Sequence, residues 1–139
     1  PTQPPSIAQL GLPGLAPTYH GIVLGVSAGS MNAAHIVYAA PEEPGEAADL
    51  HYSRWMNGLG LTETRILPHY QFIRDHVLDG QKVEDIALAD SKKRHFLALP
   101  DGSYILCADG SEALYGKGWY FADGAMEEIN DDEDVLPLR

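Results

Sequence analysis

A chain of 139 residues is long enough for one hydrophobic core and too short for two. Its 45% hydrophobic and 21% charged residues are the balance of a soluble globular protein, and no apolar run approaches the ~20 residues that cross a bilayer. With 9 Lys and Arg against 20 Asp and Glu the formal charge is −11, which argues against nucleic acid or a membrane surface as partner.

The chain opens on Pro1-Thr2-Gln3-Pro4-Pro5 rather than on Met, and reads there like the interior of a longer protein. No secretory signal is visible, and Cys107 as the sole cysteine excludes an internal disulfide, which fits a reducing cytoplasm. In the Pro- and Gly-rich residues 1–17, residues 6–10 form a short helical candidate with Ser6 as N-cap and Gly11 as stop. Residues 21–26 are apolar without polar alternation, the pattern of a strand buried on both faces and so of a parallel sheet covered by helices. Residues 28–40 read as a helix, broken by the acidic, exposed loop Pro41-Glu42-Glu43-Pro44-Gly45-Glu46. Residues 50–57 read as a short helix and residues 62–67 as a strand ending at Pro68. Residues 72–88 read as helical segments interrupted at Gly80. From Phe96 onward, short strands over 96–99, 104–107, 113–115 and 119–122 are separated by Asp-Gly and Gly-Lys-Gly turns, a β-meander closing the domain. Glu127, Glu128, Asp131, Asp132, Glu133 and Asp134 crowd the end as a solvated acidic tail.

The chemistry concentrates in Gly25-Val26-Ser27-Ala28-Gly29, a G-x-S-x-G pentad behind an apolar run and ahead of a helix. A serine on a sharp strand-to-helix turn presents its hydroxyl at the sheet edge, and the N–H of the next residue, Ala28, points where an oxyanion would form. Such a serine needs a base, and the base needs a third group to orient it. Of six histidines, His69 in Leu67-Pro68-His69-Tyr70 is the one that a strand end delivers to the edge carrying Ser27. The acidic loop offers Glu42, Glu43 and Glu46 as the third member, and spacing does not choose among them. Cys107, between Leu106 and Ala108, reads as a small core residue. No histidine pair at i and i+4 and no HExxH suggest a metal, so no metal or cofactor is expected. Arg54, Arg65 and Arg74 are candidates to bind a substrate carboxylate.

Four separated blocks carry a wider resemblance. Val26-Ser27-Ala28-Gly29-Ser30-Met31-Asn32, Gly58-Leu59-Gly60-Leu61, Ile66-Leu67-Pro68-His69-Tyr70 and Leu99-Pro100-Asp101-Gly102-Ser103 resemble, in order and character, the aspartyl dipeptidase (peptidase E) and cyanophycinase family of serine peptidases. The similarity runs from about Gly21 to Ile129. It implies a three-layer αβα fold related to class I glutamine amidotransferases, and cleavage of small Asp-containing peptides without metal or cofactor. It carries Ser27 over as nucleophile, His69 as base, Ala28 as oxyanion donor and Glu42 as acid, the last at 42 − 27 = 15 residues past the serine. The family's first strands and its second oxyanion loop have no counterpart here. The resemblance therefore implies a sheet lacking its N-terminal strands, with a second copy or a partner over the exposed edge. An inactive domain acting by association, and an amidase or esterase using the same elbow, are the rival readings.

Overall fold

The computed structural model describes residues 20–138; the helical candidate at residues 6–10 lies outside them. In chain order the described elements are α1 (Ala28–Met31), β1 (Ile36–Tyr38), β2 (Trp55–Asn57), β3 (Ile66–Leu67), α2 (Tyr70–Ile73), β4 (Val77–Leu78), β5 (Gln81–Lys82), α3 (Val83–Asp90) and β6 (Phe96–Ala98). They continue through β7 (Tyr104–Ala108), β8 (Ser111–Tyr115), β9 (Gly118–Ala122), β10 (Ala125–Asn130) and β11 (Val135–Pro137). A four-stranded sheet in the order β10-β9-β6-β3 and a three-stranded sheet β11-β8-β7 are joined by two small ribbons, β1-β2 and β4-β5.

This is not the three-layer αβα arrangement. Among the described residues the helices are short and the sheets small, with β3 and β6 as the one parallel strand pair and an Ala34–Thr62 bridge as a second parallel contact. The reason lies in residues 21–26. Among the described residues they pair with no strand, and Ile22 and Leu24 stand 93% and 85% exposed, so the described residues build no sheet around the apolar run that suggested a covered one.

The helix expected over residues 28–40 stops at Met31. Asn32 turns its Nδ2 back to the Ala28 carbonyl at 2.8 Å, and an asparagine bonded to backbone in this way competes with helix continuation. Beyond it Ile36, Val37 and Tyr38 are β-branched or aromatic and pair as β1 with Trp55–Asn57, which replaces the helix expected over residues 50–57. Asp79 and Gly80, both at positive φ, turn β4 into β5 and split the helical reading of residues 72–88 into α2, a hairpin and α3. The four strands after Phe96 are present, but they do not form one meander. β6 pairs with β9, while β7 and β8 leave as a hairpin into the second sheet. The acidic end is built in as well, since Glu127 and Glu128 lie in β10 and β11 returns to pair with β8.

β6 is the hinge of the packing because it is buried on both faces. Phe96 and Ala98 enter one core with Val83, Ile86 and Ala87 of α3, and Leu97 enters another with Leu99 and Leu114. Tyr38 stacks on Phe96 at 4.4 Å and Phe96 on Phe121 at 5.0 Å, while Tyr70 meets Trp119 and Phe121 edge-on at 4.7 and 5.8 Å. Offset and edge-to-face rings of this kind add about 0.5–1.5 kcal/mol per pair beyond their buried area. Glu112, a buried carboxylate in β8, accepts from the hydroxyls of Thr62 and Thr64 and from the Cys107 thiol, tying the second sheet to the segment that enters β3. Cys107 itself is exposed on β7 rather than part of the core.

Tyr38 donates its hydroxyl to Asp90 at 2.8 Å, and burial, reinforced by that carboxylate, holds its ionisation far above the usual phenol range. Tyr70 is raised in the same direction, by burial and then by Glu84. A phenol kept neutral in the native state stabilises it fully below the unfolded value of about 10; above that pH the unfolded chain sheds protons that the native chain keeps. Thermal midpoints should therefore fall as pH rises above about 10, with Tyr38 contributing about 1.4 kcal/mol per pH unit. Tyr38→Phe should reduce that slope by one proton, which paired melting curves across alkaline pH would check.

Candidate active site

Ser27 occupies the turn between the apolar residues 22–26 and α1, with φ 54° and ψ −122°. Few L-residues adopt such a backbone, and holding one there costs on the order of 1–3 kcal/mol. The surroundings fix it: the Ser27 carbonyl accepts from the N–H of Ser30 and Met31 at 3.0 and 3.2 Å and from the Ser30 hydroxyl at 2.5 Å. Gly25 lets the turn close. A Cβ there would lie 2.8 Å from both the Gly29 carbonyl oxygen and the Ser30 Cα, whereas one at Gly29 would meet nothing within 4 Å. Ala28, the first residue of α1, has an N–H with no acceptor inside the helix.

The parallel pair β3–β6 brings the other two groups to the same edge. Its ladder runs on past the strands, from the Leu99 N–H to the Leu67 carbonyl at 2.9 Å and from the Tyr70 N–H to the Leu99 carbonyl at 3.1 Å. The loop after β3, carrying His69, is thereby laid beside the loop after β6, carrying Asp101. His69 caps α2 in the left-handed region, φ 59° and ψ 36°. Asp101 sits in a turn closed by the Ser103 N–H on the Pro100 carbonyl, with Gly102 at φ 95° supplying the left-handed residue that a type II turn needs.

Ser27 Oγ lies 2.9 Å from His69 Nε2, and His69 Nδ1 lies 2.5 Å from Asp101 Oδ1. The proton positions follow from chemistry. An ionised carboxylate only accepts, so Nδ1 carries the hydrogen; the neutral ring then accepts at Nε2, and the Ser27 hydroxyl donates to it. This is the order of hydroxyl, imidazole and carboxylate that nucleophilic acyl transfer requires. The imidazole and the Asp101 carboxylate are 44% and 55% exposed, so both are open to solvent.

Ser27 and His69 thus stand together as the sequence placed them, and the third position differs. Asp101 occupies the Nδ1 side of the imidazole in place of Glu42. The acidic loop folds on itself instead, with the Glu46 carboxylate accepting the N–H groups of Glu42 and Glu43 at 2.8 and 3.0 Å. Asp79 pins the same loop through the N–H groups of Gly45, Ala47 and Ala48. Asp101 was legible as half of an Asp-Gly turn and as part of the fourth resemblance block, neither of which gave it a role; the signal that would have found it is a second strand end delivered to the edge where His69 lies.

The arginines separate too. Arg65 is buried with its Nε donating to the His95 carbonyl at 2.9 Å, and Arg54 pairs with Asp90 at 3.0 Å. Arg74, the C-cap of α2, is exposed and makes no ion pair among the described residues. Among those residues no group of three or more His, Cys, Asp or Glu side chains can hold a metal ion, and no helix is long and apolar enough to cross a membrane. No family model, curated protein or solved structure matches this chain.

Proposed function

We propose that this protein is a serine-type peptidase that hydrolyses small Asp-containing peptides through an acyl-enzyme. The observation that carries the reading is the hydrogen-bonded series Ser27, His69, Asp101 on a strained elbow. Ser27 Oγ attacks the scissile carbonyl carbon as its proton passes to His69 Nε2, and Asp101 stabilises the imidazolium. The Ala28 N–H donates to the oxyanion. The imidazolium then returns its proton to the leaving amine, and water, deprotonated by the same ring, releases the acid and restores Ser27. No cofactor takes part. The preference for aspartate rests on the resemblance of the four sequence blocks to peptidase E, with Arg74 as the guanidinium free to meet the substrate carboxylate. A cytoplasmic setting rests on the single cysteine.

One observation favours association as a second role. Ile22, Val23, Leu24 and Val26 are exposed immediately before the nucleophile, an apolar run of the kind that marks an interaction site. Hydrolysis of an N-terminal-aspartyl chromogenic amide, beside covalent labelling by a fluorophosphonate, tests the leading reading. Both should occur and both should vanish in Ser27→Ala. Labelling of Ser27 without aspartyl turnover would point to an amidase or esterase, and absence of both would leave association.

A further inference from the structure

Gln71 follows His69 by two residues, in the single turn of α2, and its Oε1 lies 3.0 Å from the backbone nitrogen of Asp101. A backbone N–H only donates, so the oxygen end of the carboxamide is the end turned to Asp101. The bond closes a ring of three links. His69 reaches Gln71 through the backbone, Gln71 reaches Asp101 through this hydrogen bond, and Asp101 returns to His69 Nδ1. One side of the ring is rigid, because Tyr70, between His69 and Gln71, is buried against Trp119 and Phe121. The other side is a four-residue turn exposed at Asp101 and Gly102, whose described backbone hydrogen bonds are the Ser103–Pro100 closure and the contact with Gln71, beside the side-chain bond of Asp101 to His69.

We infer that Gln71 is a positioning residue, holding the Asp101 turn in register with His69; the inference rests on Ser27, His69 and Asp101 acting as one relay. Its loss should separate geometry from stability. The Asp101 N–H is exposed, so water replaces the lost acceptor and the fold loses little. The carboxylate, however, is then held to the arm that carries the imidazole by the Tyr70–Leu99 backbone bond and its own contact with Nδ1, without the clamp on its backbone, and a displacement of about 1 Å at such a site costs about 10²-fold in rate.

The test compares Gln71→Met, which keeps the length and removes the acceptor, with Gln71→Glu, which keeps an acceptor oxygen. Two readouts are taken on the full chain: kcat and KM on the aspartyl amide, and the far-downfield proton resonance of His69 Nδ1–H, assigned by its absence in His69→Gln. In Gln71→Met, kcat should fall about 10²-fold with KM and the thermal midpoint little changed, and the resonance should shift or broaden away. Gln71→Glu should retain the resonance and most of the turnover. A Gln71→Met protein with the wild-type resonance and wild-type kcat overturns the inference. The resonance needs no substrate: if the wild type fails to turn over the amide while the resonance is lost in Gln71→Met and kept in Gln71→Glu, Gln71 positions Asp101 and the peptidase reading is what falls.

Discussion

Asp101→Asn should lower turnover of an aspartyl amide by about 10⁴-fold while leaving the thermal midpoint within a few degrees of wild type. An amide in place of the carboxylate presents either a donor to Nδ1, forcing the wrong tautomer on the imidazole, or a neutral acceptor that stabilises the imidazolium poorly. Either way Nε2 ceases to be an effective base for Ser27. The side chain is 55% exposed, so the swap leaves no buried group unsatisfied and the fold has little reason to respond. Glu42→Gln is the matched control. The described hydrogen bond of Glu42 is made by its backbone N–H to the Glu46 carboxylate, and its side-chain charge acts on Tyr52 rather than on His69, so turnover should stay within about a factor of two. Steady-state kinetics on both variants, with melting curves beside them, decide between the two acids. Loss in Glu42→Gln with activity retained in Asp101→Asn would reverse the assignment.

The two glycines of the pentad should behave in opposite ways. At Gly25 an added methyl group would press on the backbone of Gly29 and Ser30 at 2.8 Å, closer than carbon and oxygen approach without something moving. What lies in the way is backbone, so the start of α1 must retreat from the elbow, taking the Ser27 hydroxyl and the Ala28 N–H with it. Gly25→Ala should therefore reduce turnover by about 10²-fold or more and weaken fluorophosphonate labelling in parallel. At Gly29 the same methyl group meets open space, and a helical glycine replaced by alanine gains about 0.5–1 kcal/mol in propensity. Gly29→Ala should keep turnover and raise the thermal midpoint slightly. Equal losses in both variants would show that the pentad acts through something other than this close approach.

Much of the site was legible because its residues sit where local rules operate. Ser27 is marked by the small residues that a tight elbow needs, and His69 by a proline-terminated strand, both readable within a window of a few residues. Asp101 was not, because its role depends on β3 pairing with β6 across 30 or so positions, and inside its own window Asp-Gly is simply a turn. Glu42 was chosen on its distance along the chain from Ser27, a measure that ignores which way the loop folds; the Glu46 and Asp79 carboxylates bend that loop onto itself. The fold was misread for a related reason. An unbroken apolar run such as residues 22–26 states only that the segment would be stable if covered; the covered parallel sheet was inferred from that run, and the layered αβα arrangement from the family resemblance. At residues 33–40, helix propensity from four alanines lost to the pairing of Ile36–Tyr38 with Trp55–Asn57, a contact that local propensity does not see.

The two-residue parallel pair β3–β6 has a kinetic consequence. His69 and Asp101 are separated by 32 residues and Ser27 and His69 by 42, and closing loops of that size is slower than forming any hairpin in this chain. Collapsed forms in which β7–β8 or β4–β5 have already zipped would hold part of the secondary structure and none of the reactivity. The appearance of a labelled Ser27 during refolding would thus time the docking of β3 on β6, and the site would be silent until the rest of the molecule had committed to its final topology.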